Sequence, residues 1–522
     1  MKPEKGIHFQ LIPYEEQSHI QMPAFKGGHV HVAAVTEQMC KQSSSASISD
    51  STRASTFQAL TERGVLTGKR KEWVRYPLFD HPTYTDQAWM GLGANALTLH
   101  QLRTAAVYAA RNLADGACSS CTILLMGDDE LTQLTLLDQI YAWTEGLQLG
   151  TYKRKTYHHN IEQRNEHRNG QKEGLQTVIL VLPKGISLQP EMQRAMKRGK
   201  YYAMATNYAR DLTNEPANFQ TPQVLADEAR LLANLPGIEV NIHDEAWLQQ
   251  KKMNGLLYVG KGSVHPPCLA VIQYNGADQS DDTLAFVGKG VTFDTGGISL
   301  KKAEGMEEMI SDMGGAAVVM AVMKLMAELQ LPLNAVAVVP IAENMPSGRA
   351  YKPGDIIRSY SGKTIEVLNT DAEGRIILGD AVTYARELGA TRIVEVSTLT
   401  GASLIALGDV TTAALTNEDA FLEQFLQAAS PAGERIWALP NYPEYWDMLK
   451  SDVADLTNSP GKWAATITAG LFIGAFAEDT PWIHLDTGGT AWLWNEQEVD
   501  PIGGTGSMVR SIAHFVEREV QR

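Results

Sequence analysis

The chain has 522 residues, 44% of them hydrophobic and 20% charged, proportions of an ordinary packed protein that exclude disordered, collagenous and coiled-coil readings. At about 150 residues per domain this length suits two or three domains with sizeable cores. Asp and Glu outnumber Lys and Arg by 60 to 45, for a formal charge of −15, the wrong sign for general attraction to nucleic acid or an anionic membrane.

The opening MKPEKGIHFQLIPYEEQ lacks a continuous apolar stretch before Glu15 and Glu16, so it does not read as a secretory signal, and a cytoplasmic location is expected. Only Cys40, Cys118, Cys121 and Cys268 are present, which suits a reducing compartment. His29 and His31 alternate with Val30 and Val32 and could be two ligands on one strand face; an ordinary half-exposed strand explains them as well. The small polar run at residues 44–56 favours a loop or helix cap. Residues 88–112 have mixed helical spacing, and TILLMG from Thr122 reads as a buried strand. Cys118 and Cys121 form a CxxC. With no second pair and no thioredoxin-like flanks, structural thiols fit them better than a redox or half-zinc site.

Between Lys153 and Gly174 apolar residues almost vanish, which indicates a solvated insertion near a domain boundary. A basic patch or a metal site at His158, His159 and His167 is the alternative, weakened by the interleaved Glu162, Glu166 and Glu173. Thr177–Pro183 resumes the strand pattern, and a helix is expected over about 190–212. These features divide the chain into an N-terminal domain at 1–185, a linker helix at 186–212 and a C-terminal domain at 213–522. The apolar run Gly314–Met323 stops at Lys324, short of the roughly 18 residues a membrane helix needs.

From Thr283 onward LAFVG, AVAVVPI, TIEVL and RIVEVSTL are short β-branched runs separated by Ala- and Met-rich stretches of helical length. The pattern predicts an α/β fold, with a mostly parallel central sheet flanked by helices in the larger C-terminal domain. Polar clusters follow several of these strands, where open α/β sheets bind ligands. One is VGKGVTFDTGGISLK, with Lys289 and Asp294 ahead of a Gly296-Gly297 turn. Another is Asp312, before Gly314 and Gly315. A third is NTDAEGR, in which an extended backbone would aim Asp371 and Glu373 to the same side. A Walker A loop fails because Gly290 follows Lys289; a dinucleotide fingerprint fails at Phe293; HExxH is absent. A carboxylate-rich metal site remains, although any one of these acids alone would more often be a surface or capping residue.

NTDAEGR, TLTGA (Thr398–Ala402), VGKGVTFDTGG, ENMPSG (Glu343–Gly348) and NEPAN (Asn214–Asn218) together make the chain resemble the leucyl aminopeptidase (cytosol aminopeptidase) family of dinuclear metallopeptidases over residues 195–522. The resemblance implies a smaller, variable N-terminal α/β domain and a larger catalytic domain. It implies a cytosolic hydrolase that removes leucine-like residues from the N-termini of short peptides, using a hydroxide activated by two metals, and that assembles as a homohexamer. By the same resemblance Lys289, Asp294, Asp312, Asp371 and Glu373 are ligands of two divalent ions, Mn or Zn, with Mg or Co as further candidates. Lys301, rather than Lys302, and Arg375 become the catalytic pair, with bicarbonate at Arg375. Met309, Thr398 and Gly401 help line the substrate pocket. GGTGSMVR (Gly503–Arg510) fits the start of the family's closing helix, whereas HLDTGG (His484–Gly489) departs from its pattern at Thr487 and Gly488.

Four carboxylates carry about −4, which balances two divalent cations, and their oxygens suit hard metals. Lys289 would have to bind as an amine, and deprotonating a lysine of ordinary pKa at pH 7 costs about 4 to 5 kcal/mol; otherwise it is an ion-pair lysine. Arg375 cannot act as a base, because guanidinium does not deprotonate in proteins. A two-metal phosphoester hydrolase and a catalytically silent binding protein on the same fold are the competing functions.

Overall fold

The computed structural model describes residues 6–19, 28–42, 51–79, 84–115, 118–127, 131, 133–158, 174–277 and 282–521. Most of the Lys153–Gly174 stretch, including His159 and His167, and the first part of the 44–56 run lie outside them. The chain divides into two compact units, Met1–Met204 and Ala205–Arg522. The division falls inside the helix Pro190–Asn214.

In the first unit the described residues form a six-stranded sheet, in the order His8–Ile12, Thr177–Val181, Cys118–Leu124, Gly28–Thr36, Asp86–Gly93, Trp73–Pro77. All neighbours are parallel except the last pair. Its core joins Val30, Val32, Ile123, Val178 and Leu180 to the helices Leu99–Asp115 and Leu136–Gly150.

Several expectations need correction here. Residues 88–93 are strand, because Gly93 turns the chain at φ 87° and the helix begins only after Thr98, which exchanges hydrogen bonds with Gln101. Ser51 to Thr56 open the helix Ser51–Glu62 rather than a loop; Phe57, fully buried against Trp89, anchors it. The Cys118 strand starts four residues before Thr122 and ends at Leu124. His29 and His31 are buried, not half-exposed, at 3% relative accessibility each. The His29 ring nitrogens lie 2.7 Å from Ser120 Oγ and 2.8 Å from Thr122 Oγ1, and burial lowers its pKa to about 4, so it is neutral. Cys118 and Cys121 are buried thiols with pKa values raised by burial, the opposite of a reactive thiol.

In the second unit the described residues form a nine-stranded sheet. Its order is Arg435–Ala438, Thr411–Thr416, Trp482–Asp486, Arg392–Ser397, Thr283–Gly288, Asn334–Asn344, Cys268–Asn275, Ile238–His243, and Gly290–Asp294 also pairs with Asn334–Asn344. The central strands are parallel, with antiparallel pairs toward each edge. Alternate residues Ala285, Val287, Val336 and Val338 pack with the helices Gly374–Glu387 and Ala465–Ala477 in one core, as the period-two pleat requires. The helix Gly314–Leu329 lies against the same strands but outside that core, so the sheet is helix-covered on both faces. TIEVL is an exception to the expected parallel sheet: Thr364–Glu366 belongs to a separate three-stranded sheet with Ile356–Arg358 and Leu456–Thr457.

The stretch Met306–Leu329 is long and apolar enough to cross a bilayer by length and composition, because one lysine does not end the apolar run. Its apolar window is 83% buried inside the unit, the behaviour of a core helix.

Candidate metal centre

Five parallel strands deliver their following residues to one crevice. Lys289 follows Thr283–Gly288, Asp294 ends Gly290–Asp294, Asn344 ends Asn334–Asn344, Thr398 follows Arg392–Ser397, and Asp486 ends Trp482–Asp486. This is the position at which open α/β sheets bind ligands.

Lys289 is buried, and its ammonium lies 2.7 Å from Asp312 and 2.8 Å from Glu373, with the Thr398 carbonyl at 3.4 Å. Burial alone would lower its pKa, but the carboxylates of Asp312, Glu373 and Asp294 overcome that and raise it. Lys301 Nζ lies 2.7 Å from Asp294 Oδ2 and also pairs with Asp371. Burial opposes its charge too, and Asp294, Glu373 and Asp371 likewise raise its pKa. Each ammonium thus faces two carboxylates, Asp312 and Glu373 for Lys289 and Asp294 and Asp371 for Lys301, which favours its charged form.

Asp294, Asp371 and Glu373 each offer an oxygen within 4.8 Å of the others. Asp312 Oδ2, Asp371 Oδ1 and Glu373 Oε1 are buried next to lysines yet accept no aligned hydrogen bond. Burial and the neighbouring carboxylates push the pKa values of Asp312 and Asp371 up, against the pull of Lys289 and Lys301 respectively. Buried, mutually repelling carboxylate oxygens with unfilled acceptor capacity are the donor set that hard divalent cations take, so the residues fit such ions.

The route by which Asp371 and Glu373 meet is not the expected one. Residues 370–371 form a turn, and Glu373 has helical angles (φ −73°, ψ −39°) just before the helix Gly374–Glu387. There is no extended segment, so the alternation argument does not apply; the turn and the helix start together bring the two carboxylates close. The helix begins at Gly374, which puts Arg375 in its first turn. Gly374 packs directly on the Lys289 side chain, where a Cβ would collide with its Cε and Nζ.

Arg375 is buried; its Nη1 donates to the Asn458 carbonyl at 2.8 Å, while its Nε lacks a protein partner. Burial lowers its pKa to about 10, which still leaves it charged at neutral pH. Thr398 is half-buried and donates to Asp312 Oδ1 at 2.8 Å. Met309 is half-buried in the short helix Met306–Met313, which also carries Asp312. Gly401 is exposed at the start of Gly401–Leu407, with open space where a Cβ would point.

Several residues that hold the site together were not among the sequence candidates. Asn344, within ENMPSG, donates to Asp294 Oδ1 at 2.7 Å and to the Thr370 carbonyl at 3.0 Å. Thr370 joins two loops: its hydroxyl donates to the Gly296 carbonyl at 2.6 Å and accepts from Ser299 N–H at 2.8 Å. Asp486 accepts from the backbone N–H groups of Leu399, Thr400 and Gly488 and from the Thr400 hydroxyl. A Cβ at Gly488 would come within 2.3 Å of the Thr400 carbonyl, so this departure from the family pattern matches a tight local packing. Asn214 of NEPAN accepts from Gly504 N–H at 3.0 Å and ties the chain's closing segment rather than the carboxylate cluster. The signal available for such residues was their place inside the quoted motifs or, for Asp486, at a strand end.

The catalytic-domain profile of the cytosol aminopeptidase family matches residues 207–513. The chain is 47% identical to a probable cytosol aminopeptidase of Alkaliphilus oremlandii over 72% of its own length and 73% of the relative's. It is 42% identical to one of Clostridium perfringens, over 75% and 78% respectively. Among solved structures it is similar to the bottromycin maturation enzyme BotP in complex with Mn (32% identity, TM-score 0.80, 95% of this chain and 100% of that one). It is also similar to a mutant tomato leucine aminopeptidase (28% identity, TM-score 0.84, 99% and 98%). The chain belongs to the cytosol aminopeptidase family and is a metallo-aminopeptidase.

Proposed function

We propose that this chain removes leucine-like N-terminal residues from short peptides at a centre of two divalent cations held by Asp294, Asp312, Asp371, Glu373 and Lys289. The observation that carries the reading is the convergence of four carboxylates from three chain segments on two lysines, Asp312 and Glu373 pairing with Lys289 and Asp294 and Asp371 with Lys301. When bound, such a cation pair supplies Lewis acidity toward the scissile carbonyl and lowers the pKa of water toward neutrality. Manganese is the first candidate, since BotP has been solved with it; zinc is the second.

Lys289 would hold such a cation as a neutral amine, its proton passing to solvent, and would then leave its ion pairs with Asp312 and Glu373. Lys301 keeps its proton and donates to the carbonyl oxygen as negative charge develops there. Fixed charge in a dry site is suited to that task, and removal of one such donor typically costs about 3 to 4 kcal/mol. Arg375 remains charged and offers its unpartnered Nε, with its remaining donors, to a planar anion, for which bicarbonate is the fitting choice. Half-buried Met309 supplies apolar surface for selecting leucine-like side chains, and Thr398 and Gly401 contribute to the same selection.

The working form is a cytoplasmic homohexamer. The decisive assay compares leucine p-nitroanilide with p-nitrophenyl phosphate in Mn-supplemented protein. Turnover of the anilide is expected, and turnover of the phosphate alone overturns the reading. Sedimentation tests the hexamer.

A further inference from the structure

Asn458 is fully buried and uses every hydrogen-bonding group it has on one short segment. Its Oδ1 accepts from Leu368 N–H at 2.9 Å and Asn369 N–H at 3.4 Å. Its Nδ2 donates to the Asn369 carbonyl at 2.6 Å and the Ala372 carbonyl at 3.3 Å. Its own carbonyl accepts from Arg375 Nη1 at 2.8 Å, and its N–H donates to the Glu366 carbonyl at 3.0 Å. The segment so gripped runs from the end of the strand Thr364–Glu366 to the first turn of the helix Gly374–Glu387, with no regular structure over 367–373, and it carries Asp371, Glu373 and Arg375. A segment with no ladder of its own needs external partners for its backbone groups, and Asn458 supplies four of them through one side chain.

We propose that Asn458 is a positioning residue: it sets the placement of Asp371, Glu373 and the Arg375 guanidinium without touching substrate. The proposal rests on the site assignment above. Groups that orient metal ligands typically change metal affinity or activity by about 10- to 100-fold when removed.

The test uses full-length Asn458→Ala and Asn458→Asp, with Mn affinity by calorimetric titration and kcat and KM on leucine p-nitroanilide. For Asn458→Ala the expected result is Mn affinity and kcat each about tenfold lower or more, with KM changed little. In a cycle with Arg375→Ala, the combined loss in kcat should fall short of the product of the single losses, because residues in one network do not act independently. Asn458→Asp keeps the acceptor but loses the donor as a carboxylate. A protonated carboxyl restores the donor, so its activity relative to wild type should rise as pH is lowered. A residue that only stabilises the fold would lower Tm and leave these signatures unmoved.

Wild-type Mn affinity and kcat in either folded variant, or a strictly multiplicative cycle with a flat pH ratio, overturns the proposal. Should wild type bind Mn but leave the anilide untouched, the substrate reading fails while the Mn affinities still decide the role of Asn458.

Discussion

A Cβ built on Gly374 would stand 2.4 Å from Lys289 Cε and 2.8 Å from its Nζ. The first residue of the Arg375-bearing helix and the buried lysine thus share a space that only a hydrogen can leave free. Gly374→Ala must displace the lysine or the helix start, and overpacking of this kind costs about 1 to 3 kcal/mol. If that strain falls on the site, Mn affinity or kcat should drop by about 10- to 100-fold, with a modest loss in Tm. Wild-type Mn binding and turnover in the alanine variant would show that the lysine's position is not needed.

Metal loading should release protons. Asp312 and Asp371 are held above the ordinary carboxylate range by burial and by each other's neighbours, and Lys289 is held protonated by Asp312 and Glu373. Metal ligands must be deprotonated, so titration calorimetry near pH 7 in buffers of different ionisation enthalpy should report net proton release. The apparent affinity should fall as pH falls. The metal-free protein obeys the opposite sign: with the Asp371 pKa raised by burial and Asp294, its contribution to stability is present below the ordinary carboxylate pKa and is lost as pH rises through the raised value. Chelation should therefore abolish activity and lower Tm most at neutral and higher pH. Manganese at 100 times its Kd should restore about 2.7 kcal/mol. Binding without proton release would exclude Lys289 as an amine ligand.

Thr398 donates its hydroxyl to Asp312 Oδ1 at 2.8 Å. Thr398→Val preserves shape and removes the donor, so Mn affinity should weaken by about tenfold. A change confined to the preferred N-terminal side chain, with Mn affinity intact, would instead assign Thr398 to the substrate wall alone.

Glu395 and His484 form a fully buried pair between neighbouring strands. Burial opposes the imidazolium, but Glu395 outweighs it and raises the His484 pKa. A raised histidine contributes stability that is complete below its ordinary pKa of about 6.5 and is lost as pH rises through the raised value. Glu395→Gln should therefore destabilise the protein most at pH 6 and below, by about 3 to 5 kcal/mol as for other broken buried pairs. Denaturant unfolding across pH measures the difference; a loss independent of pH would mean that the histidine is not the titrating group.

Residue types and their order along the chain determined the α/β class and the rhythm of strands followed by polar clusters, while the family resemblance implied which four carboxylates, two lysines and arginine to look for. Those features are local, because strand propensity, glycine turns and charge are properties of short windows. What the windows could not determine was how the donors meet. The i, i+2 alternation assigned to Asp371 and Glu373 gave way to a turn and a helix start, and TIEVL left the main sheet for a small one. Asn458, 83 residues beyond Arg375, binds the loop that carries the carboxylates, and Asn344 and Thr370 join loops across 26 to 74 residues. Such contacts have no period and no spacing to be read. They arise because buried backbone groups without a ladder must find partners, and which side chain supplies them is decided only when the sheet has brought distant segments to its carboxyl edge.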